Sequence, residues 1–422
     1  MQFENTLAFA QRLDERDVLR SYRDKFLFPQ HEGRNVLYFT GNSLGLQPKG
    51  VKEALIQECD DWEKFGVEGH FEAKNPWYSY HENFTKGAAK LVGAKENEVV
   101  MMNQLTVNLQ LLLASFYKPE GKRKKILFEC KPFPSDQYAF ETHARFHGLN
   151  PEDVLVEMQP REGEVLLRTE DVLSKIEELG DELALVCFGA VNYFTGQFFE
   201  LEKITKSAHA VGAKCGFDLA HCAGNLPLNL HDWNVDFACW CTYKYLNSGP
   251  GSVGGVFIHE KHVTDRNVNR LAGWWGHNKD TRFKMLPGFD PMPTAESWQL
   301  SNAPVFNMVA HKVSLDIFTE VGMNALREKS ILLTDYLEHI LQEVETRTGQ
   351  SLNILTPTNS AERGAQLSVV VKGRDKSLVK KLAEHGVVVD WREPNVVRLA
   401  PVPLYNSFED IFLFGKIFSQ TV

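Results

Sequence analysis

The chain has few cysteines, no long apolar run and little excess of either charge. Seven cysteines in 422 residues are odd in number and too sparse for the disulfide framework of a small secreted protein. The longest apolar runs, such as residues 109–116, are well short of the ~18 residues that a membrane span needs. A net charge of −9 argues against a surface that follows nucleic-acid phosphates. We therefore expect no membrane and no nucleic-acid partner.

The first residues also lack the basic start of a secretory signal, because acids occur early, at Glu4 and Asp14. No repeat, low-complexity segment or Ser/Gly linker divides the chain. Hydrophobic residues (43%) and aromatic residues (11%) lie in the globular range, and the length exceeds one typical domain of roughly 100–200 residues. We expect a cytoplasmic globular protein of two or three domains.

Short apolar strands alternate with helical patterns through the middle of the chain. Strands are predicted at 125–130, 183–188 and 215–218, with helices at 135–146 and 201–211. This order requires crossover connections, so it predicts an α/β fold with a mostly parallel sheet covered on both faces. Ligands of such sheets bind at the carboxyl ends of the strands.

The pattern changes after about residue 305. One long helical stretch is predicted over 307–347, followed by strand, helix and strand patterns that indicate a smaller α+β unit. We predict a large domain over 46–304 and a small domain assembled from both ends of the chain, 1–45 and 305–422.

Two charged residues interrupt otherwise apolar sequence. Asp218 ends a predicted strand, and Lys244 follows a second strand. Buried charge is costly unless it is paired or used chemically. A pyridoxal phosphate enzyme needs a lysine that forms a Schiff base with the cofactor and an acid that keeps the pyridine nitrogen protonated. The alternative is a helix cap for Asp218 and a surface position for Lys244.

Neighbouring residues favour the cofactor interpretation. His221 is placed to contact the cofactor ring or Asp218, although a structural histidine is the usual alternative. Tyr243 and Lys244 would leave a strand on opposite faces, so a loop or bulge is needed to bring both into one pocket. Leu105 and Thr106 lie between a strand and a helix predicted over 107–117, where a hydroxyl and free N–H groups bind phosphate or simply cap the helix.

Other candidates have competing explanations. The next strand-to-helix turn carries an aromatic residue that could stack on a planar cofactor; it comprises Phe133, Pro134, Ser135 and Asp136. Arg398 lies in an apolar run, as an anion clamp or a buried ion pair would. His70 lies in an aromatic-rich stretch, 62–80, that suits either core or a pocket for an aromatic substrate.

Two familiar motifs are rejected. Gly249, Gly251 and Gly254 match the dinucleotide fingerprint, but an apolar strand follows them where the fingerprint requires a helix. Four cysteines near Asp218 and Lys244 lack the C-x₂₋₄-C spacing of structural zinc sites, so we expect packing rather than a metal; they are Cys215, Cys222, Cys239 and Cys241.

Six segments in order along the chain resemble the kynureninase family. They are GNSLGLQPKG (41–50), FPSD (133–136), DLAHCAGN (218–225), HDWNVDFACWCTYKYLNSGPG (231–251), GWWGH (273–277) and RLAPVPLYNSFEDI (398–411). Kynureninases are pyridoxal phosphate enzymes of the aspartate-aminotransferase fold (fold type I), within the class V aminotransferase group. The resemblance runs from about residue 35 to 416.

The resemblance implies roles for individual residues. Lys244 carries the Schiff base and removes the substrate Cα proton, Asp218 pairs with the pyridinium, and Tyr243 lies near the phosphate and relays a proton. The cofactor site is completed by Leu105, Thr106, His221 and the turn of Phe133, Pro134, Ser135 and Asp136. Trp274 and Asn302 close this site across a dimer interface. Arg398 holds the substrate carboxylate, and His70 and Asn302 lie at the aryl group.

Two departures from the family accompany these matches. Gly189 stands where relatives carry a hydroxyl residue near the phosphate, and Gln299 replaces a basic residue. The implied activity is hydrolysis of L-kynurenine or 3-hydroxy-L-kynurenine, in tryptophan degradation or NAD biosynthesis, by a cytoplasmic homodimer. The alternatives are a related pyridoxal phosphate enzyme, such as a desulfurase or transaminase, and an inactive binding relative that should lack the Lys–Asp pair.

Overall fold

The structure is a computed structural model and describes residues 2–422. Over these residues the chain forms fourteen α-helices: α1 Leu7–Arg16, α2 Val51–Phe65, α3 Gly69–Glu72, α4 Glu82–Val92, α5 Leu105–Phe116, α6 Pro134–Phe146, α7 Pro151–Val154, α8 Thr169–Leu179, α9 Leu201–Ala210, α10 Glu260–Val263, α11 Val305–Val321, α12 Met323–Thr348, α13 Ser377–Ala383 and α14 Phe408–Thr421.

The same residues form seventeen strands: β1 Phe26–Leu27, β2 Gln30–His31, β3 Arg34–Asn35, β4 Leu37–Tyr38, β5 Gln47–Pro48, β6 Val99–Met102, β7 Lys125–Phe128, β8 Leu155–Glu157, β9 Leu183–Gly189, β10 Lys214–Asp218, β11 Phe237–Cys241, β12 Gly254–Ile258, β13 Leu352–Ile354, β14 Leu367–Val371, β15 Val387–Val388, β16 Asp390–Arg392 and β17 Val396–Leu399.

The main sheet has the strand order β6-β12-β11-β10-β9-β7-β8. The pairs from β11 to β8 are parallel, whereas β12 runs antiparallel to both β11 and β6. The sheet separates two apolar layers, since Phe217 and Trp240 belong to one buried cluster and Phe237 and Val256 to another. The predicted mostly parallel sheet is confirmed.

Strand β12 also explains the glycine motif at 249–254. The strand begins at Gly254, so the segment after the third glycine is extended rather than helical. Gly255 packs against Trp240, where an added Cβ would come within 2.1 Å of the indole ring. Gly254 and Gly255 therefore serve close packing in the sheet, whereas Gly249 and Gly251 adopt positive φ values of 81° and 72° in the turn before it, and the dinucleotide interpretation stays rejected.

A further apolar cluster, which we call the second cluster, lies outside the two layers of the main sheet and draws on both ends of the chain. Phe9 and Leu13 of α1 pack with Leu337 of α12 and Phe414 of α14. The sheet β13-β14-β17-β16 forms one side of this cluster. Helix α11 belongs instead to the main-sheet cluster that contains Phe217 and Trp240, through residues such as Met308 and Phe318.

Two sequence-based expectations need correction. The helix predicted over 307–347 is two helices, because Gly322 interrupts it with φ 78° and ψ 150°, a conformation that favours glycine. Helix α5 begins at Leu105 rather than Val107, and Gln104 is its N-cap. Thr106 therefore lies in the first turn, where its own N–H is free.

Candidate active site

A cavity of about 250 Å³ opens at the carboxyl ends of the central strands. Asp218 and Gly189 are the last residues of β10 and β9, and Glu129 directly follows β7. The first turn of α5 and the start of α6 line the same cavity. The position agrees with the general rule for ligand sites in parallel sheets.

Most of the predicted cofactor residues meet in this cavity. Its lining includes Leu105, Thr106, Phe133, Ser135, Asp136, Asp218, His221, Tyr243 and Lys244. Tyr243 and Lys244 both reach it because they lie in the loop after β11, which removes the alternation that a strand would impose. Pro134 occupies the first position of α6, where its missing N–H costs nothing.

Lys244 points to His221. The distance from Lys244 Nζ to His221 Nε2 is 3.1 Å. Burial, with Lys244 and Arg398 nearby, holds the pKa of His221 well below its ordinary value. The neutral imidazole therefore accepts a hydrogen bond from the lysine. Its other nitrogen, Nδ1, is buried with no partner among the described residues.

Asp218 is buried opposite the lysine. Its Oδ1 accepts the backbone N–H of Ala220 at 2.7 Å. Burial raises the pKa of Asp218, while Lys244 and that N–H act against the rise. Burial also raises the pKa of Asp136 well above its ordinary value, and the negative charge of Asp218 adds to this. Of the two carboxyl groups, Asp136 therefore keeps a proton more readily than Asp218.

Helix α5 supplies an anion site to the cavity. Its first N–H groups have no acceptor within the helix, and Gln104, Leu105, Thr106 and Val107 line the opening. Asn108 donates to the Met102 carbonyl at 2.8 Å, which ties the helix start to the end of β6. The positive end of the helix dipole favours a phosphate at this position.

Arg398 lies immediately behind the cavity wall. It is fully buried, and one guanidinium nitrogen donates to the Tyr193 carbonyl at 2.8 Å. The other bonds Asp390, which also accepts from Ser43 Oγ at 2.8 Å. Tyr193 itself lines the cavity. The predicted buried ion pair is therefore present, one residue from the cavity, and the role of Arg398 as an anion clamp stays a prediction.

Three predicted residues lie outside this chain's own cavity. His70 is half-buried and bonds the Val67 carbonyl at 2.9 Å. Trp274 is 46% exposed, and its indole N–H donates to the Arg282 carbonyl at 3.2 Å. Asn302 is exposed. One chain alone does not bring these side chains to Lys244.

Sequence reasoning missed several lining residues, of which Glu129 carries chemistry. Like Asp218, Glu129 is an acidic residue at the carboxyl end of an apolar strand, and this shared pattern could have identified it. Burial raises the pKa of Glu129 to about 8, against the effect of the Gly189 N–H. Its Oε2 accepts that N–H at 3.0 Å.

All seven cysteines are free, and five are buried. Burial raises the pKa of the Cys215 and Cys222 thiols, as expected for packing residues. Elsewhere Glu98, His231 and His259 lie close together. Glu98 Oε1 already accepts His231 Nδ1 at 2.9 Å and the Glu260 N–H at 2.7 Å, which accounts for this group as a cap of α10.

The fold and the site together define a class. A mixed sheet with a lysine after one strand and an aspartate at the end of its neighbour defines the aspartate-aminotransferase-like fold, known as fold type I. Solved structures share it: the cysteine desulfurase of Thermococcus onnurineus (TM-score 0.74, 21% identity, 91% of this chain and 94% of that one) and the cysteine desulfurase CsdA of Escherichia coli (0.76, 16%, 96% and 98%).

The chain belongs to the kynureninase family. It is 56% identical over 422 residues to the kynureninase of Flavobacterium psychrophilum, covering 100% of this chain and 99% of that one. It is 52% identical over 415 residues to the kynureninase of Myxococcus xanthus, covering 98% and 97%. The family model described as the kynureninase C-terminal domain matches residues 326–418.

Proposed function

We propose that this chain is an enzyme that uses pyridoxal 5'-phosphate to hydrolyse the Cβ–Cγ bond of L-kynurenine or 3-hydroxy-L-kynurenine. The products are anthranilate or 3-hydroxyanthranilate, and L-alanine. Full-length identity of 56% to a kynureninase carries the proposal. Lys244 and Asp218 facing one buried cavity add the chemistry that this reaction requires. The reaction belongs to tryptophan degradation or NAD biosynthesis.

The cavity residues fit the cofactor. Lys244 offers an amine for the covalent link, Asp218 a buried carboxylate for the ring nitrogen, and the first turn of α5 free N–H groups for the phosphate. The unpartnered Nδ1 of His221 leaves a polar atom for a ligand. Phe133 stands over the lysine, 5.6 Å from Nζ to the ring centre, where it can cover a planar ring.

When bound, pyridoxal phosphate supplies an electron-withdrawing ring that stabilises negative charge at substrate carbons. Asp218 would accept a hydrogen bond from the protonated ring nitrogen. Lys244 Nζ would take the Cα proton of the substrate, and His221, 3.1 Å away, would keep that nitrogen oriented. Water would add to the Cγ carbonyl, the Cβ–Cγ bond would break with the acyl part leaving as the anthranilate product, and Tyr243 would relay a proton to Cβ. Acid–base groups of this kind typically contribute ~10²–10⁴-fold each.

The substrate carboxylate is assigned to Arg398. The guanidinium is preorganised by the Tyr193 carbonyl and Asp390, and its Nε has no partner among residues 2–422. Bidentate geometry suits a carboxylate. His70 and Asn302 are assigned to the aryl group, and Trp274 and Asn302 to closing the site from a second subunit.

A homodimer accounts for the positions of His70, Trp274 and Asn302 outside the cavity of their own chain. Exposed aromatic rings form a continuous surface, with centroid distances of 5.8 Å for Phe71–Tyr78, 5.8 Å for Tyr78–Phe283 and 5.4 Å for Phe283–Trp274. A large exposed apolar patch marks an interface. Among residues 2–422, no helix combines the length and apolar character needed to cross a membrane. A cytoplasmic location remains a prediction from composition.

We also propose the domain division 46–304, with 1–45 and 305–422 as the second domain. The shared apolar cluster of α1, α12 and α14 supports it. Helix α11, although inside the second range, packs on the large domain through Met308 and Phe318.

The decisive experiment adds L-kynurenine and, separately, its 3-hydroxy form to protein loaded with pyridoxal phosphate. Fluorescence of the anthranilate product, with equimolar alanine, is expected from at least one substrate. Alanine together with sulfur release from cysteine would instead identify a desulfurase. Failure with both kynurenines would overturn the function and leave the fold intact.

The Lys244→Ala variant tests the role of the lysine. It loses both the covalent link and the base, so turnover should fall by at least ~10⁴-fold. Lys206→Ala, which removes an exposed amine on α9, is the matched control and should keep wild-type turnover. Substantial turnover by Lys244→Ala would refute the assignment.

A further inference from the structure

Glu129 is a buried carboxyl group of the cavity to which no role has so far been given. It is 3% exposed, and its side chain lines the cavity that also holds Lys244 and Asp218. A buried carboxyl group costs free energy unless it is neutral or well bonded. A carboxyl group buried directly after β7 therefore needs a ligand or a hydrogen-bond partner to offset this cost.

Gly189 gives this carboxyl group a hydrogen-bond donor and space to approach the backbone. Its N–H donates to Glu129 Oε2 at 3.0 Å. A Cβ placed on Gly189 would lie 2.7 Å from Glu129 Oε1, closer than real Cβ contacts allow. The missing side chain thus lets Glu129 approach the end of β9. This arrangement explains the departure from family members that carry a hydroxyl residue at this position.

The charges around Glu129 favour its protonated form. The titratable groups that face it or share its cavity are Cys130 next to it in the chain, Asp136 from α6, Glu157 from β8, Cys187 from β9, Asp218 from β10, His221 from the turn after β10, and Tyr243 and Lys244 from the loop after β11. Within residues 2–422, Lys244 alone brings a positive side chain to the lining. With Oε2 accepting from Gly189, a protonated Glu129 has its O–H to donate into the cavity.

The strand order indicates what this O–H meets. Helix α5, the phosphate site, packs against β11 and β12, whereas Glu129 follows β7 on the other side of β10 and its Asp218. On the pyridoxal phosphate ring, the phenolic oxygen lies on the side opposite the phosphate arm. A ring whose nitrogen meets Asp218 and whose phosphate meets α5 turns its phenolic edge toward Gly189 and Glu129.

We propose that Glu129 is a further cofactor-binding residue, whose carboxyl group donates a hydrogen bond to the phenolic oxygen of bound pyridoxal phosphate. This inference rests on the proposed function, since it requires that cofactor in the cavity. The hydrogen bond stabilises negative charge on the phenolic oxygen. It thereby weakens the hold of that oxygen on the proton it shares with the Lys244 nitrogen.

A pH titration of the visible absorption of the loaded protein tests the proposal without substrate. Glu129→Leu keeps volume but removes the donor, so the spectral midpoint should rise by about one pH unit, a tenfold change in proton affinity. Glu129→Gln keeps a donor and should stay close to wild type. Glu152→Gln makes the same chemical change at an exposed position of α7 and should leave the midpoint unchanged.

Infrared difference spectra of wild type against Glu129→Gln provide the second measurement, on loaded and on cofactor-free protein. A carbonyl band of a protonated carboxylic acid should be lost with Glu129→Gln and kept with Glu152→Gln. The absence of such a band would overturn the proposal, because an ionised Glu129 cannot donate. This measurement also covers the case in which Glu129→Leu fails to fold.

The outcomes separate the two proposals. Wild-type protein that does not take up pyridoxal phosphate would overturn the function and Glu129's role together. Wild-type protein that loads and titrates, with an unchanged midpoint in Glu129→Leu, would overturn only the role of Glu129.

Discussion

At the scale of single residues, Arg398 shows how a buried cation is kept available. Its guanidinium is held by Asp390 and the Tyr193 carbonyl, so its charge is compensated before any substrate arrives. A substrate carboxylate would bind a fork that is already oriented, which avoids most of the entropy cost of ordering a long side chain.

Replacing Arg398 with Gln should lower kcat/KM for kynurenine by about 10–100-fold, through the loss of a charged hydrogen bond worth about 1.5–3 kcal/mol. Steady-state kinetics measure kcat/KM for both proteins. Arg374→Gln, an exposed arginine of the small unit, is the control and should behave as wild type. An unchanged kcat/KM in Arg398→Gln would remove this residue from the site.

Residues of the site could be predicted where a charged side chain interrupts an otherwise apolar stretch of sequence. Lys244 and Asp218 stand out as charges after apolar strands, and both line the cavity. Glu129 follows the same rule but was missed, because the predicted strand 125–130 ran past it, whereas β7 ends at Phe128. Thr106 lines the cavity, although the predicted helix start was two residues late, since no side chain caps α5.

At the scale of elements, the break between α11 and α12 lies at one glycine. The sequence pattern runs on through Gly322 because apolar spacing continues on both sides, so periodicity alone predicts one helix. The break lets α11 pack on the large sheet while α12 packs on the second cluster. Such a change of partner depends on tertiary contacts that a sequence pattern does not contain.

Gly322→Ala should lower the free energy of unfolding by about 1–3 kcal/mol, because φ 78° and ψ 150° strain any other residue. Gly50→Ala, at the start of α2 with φ −72°, is the control and should change it little. Urea denaturation measures both. Equal stability of the two variants would show that the backbone at Gly322 adapts.

A second element-scale prediction concerns the short turn Ala295–Trp298. Burial disfavours the charge of Glu296, but His81 and Lys279 overcome this and lower its pKa from 4.5 to about 2. The lowered pKa means that the charged form stabilises the fold above the unfolded-state value. This contribution is lost as pH falls from about 4.5 to about 2.

Glu296→Gln should therefore cost about 2 kcal/mol of unfolding free energy at pH 7 and progressively less toward pH 3. Urea denaturation at both pH values measures the difference. Glu82→Gln, whose exposed carboxylate bonds only Lys279, should cost little at either pH. A deficit of Glu296→Gln that is independent of pH would refute the electrostatic explanation.

At the scale of the whole molecule, the proposed homodimer makes the site larger than one chain. The sheet, the cavity and the Lys–Asp pair follow from alternation and strand-end charges in the sequence. The roles proposed for His70, Trp274 and Asn302 do not, because in the proposed dimer they depend on a surface to which each chain contributes half. Their exposure or distance from Lys244 is what a shared site predicts.

Phe283→Glu tests that surface. A charge in the middle of the aromatic surface should raise the dimer Kd by about 30-fold or more, as for a central interface residue. Sedimentation over a dilution series measures it, and specific activity should fall together with the dimer fraction. Val18→Glu, 83% exposed on another segment, is the control. Full activity in a monomeric Phe283→Glu would refute a shared site.

The pairing of the two chain ends has a consequence for synthesis. Asp14 of α1 accepts the N–H groups of Phe408 and Glu409 at 2.8 and 3.0 Å, so it caps α14. Helix α1 leaves the ribosome before α14, on the order of tens of seconds earlier. Throughout that interval Phe9 and Leu13 have no native partner from α14. The main sheet can form in this time, whereas the second cluster closes only once α14 has emerged, and α1 is the segment that a chaperone would hold meanwhile.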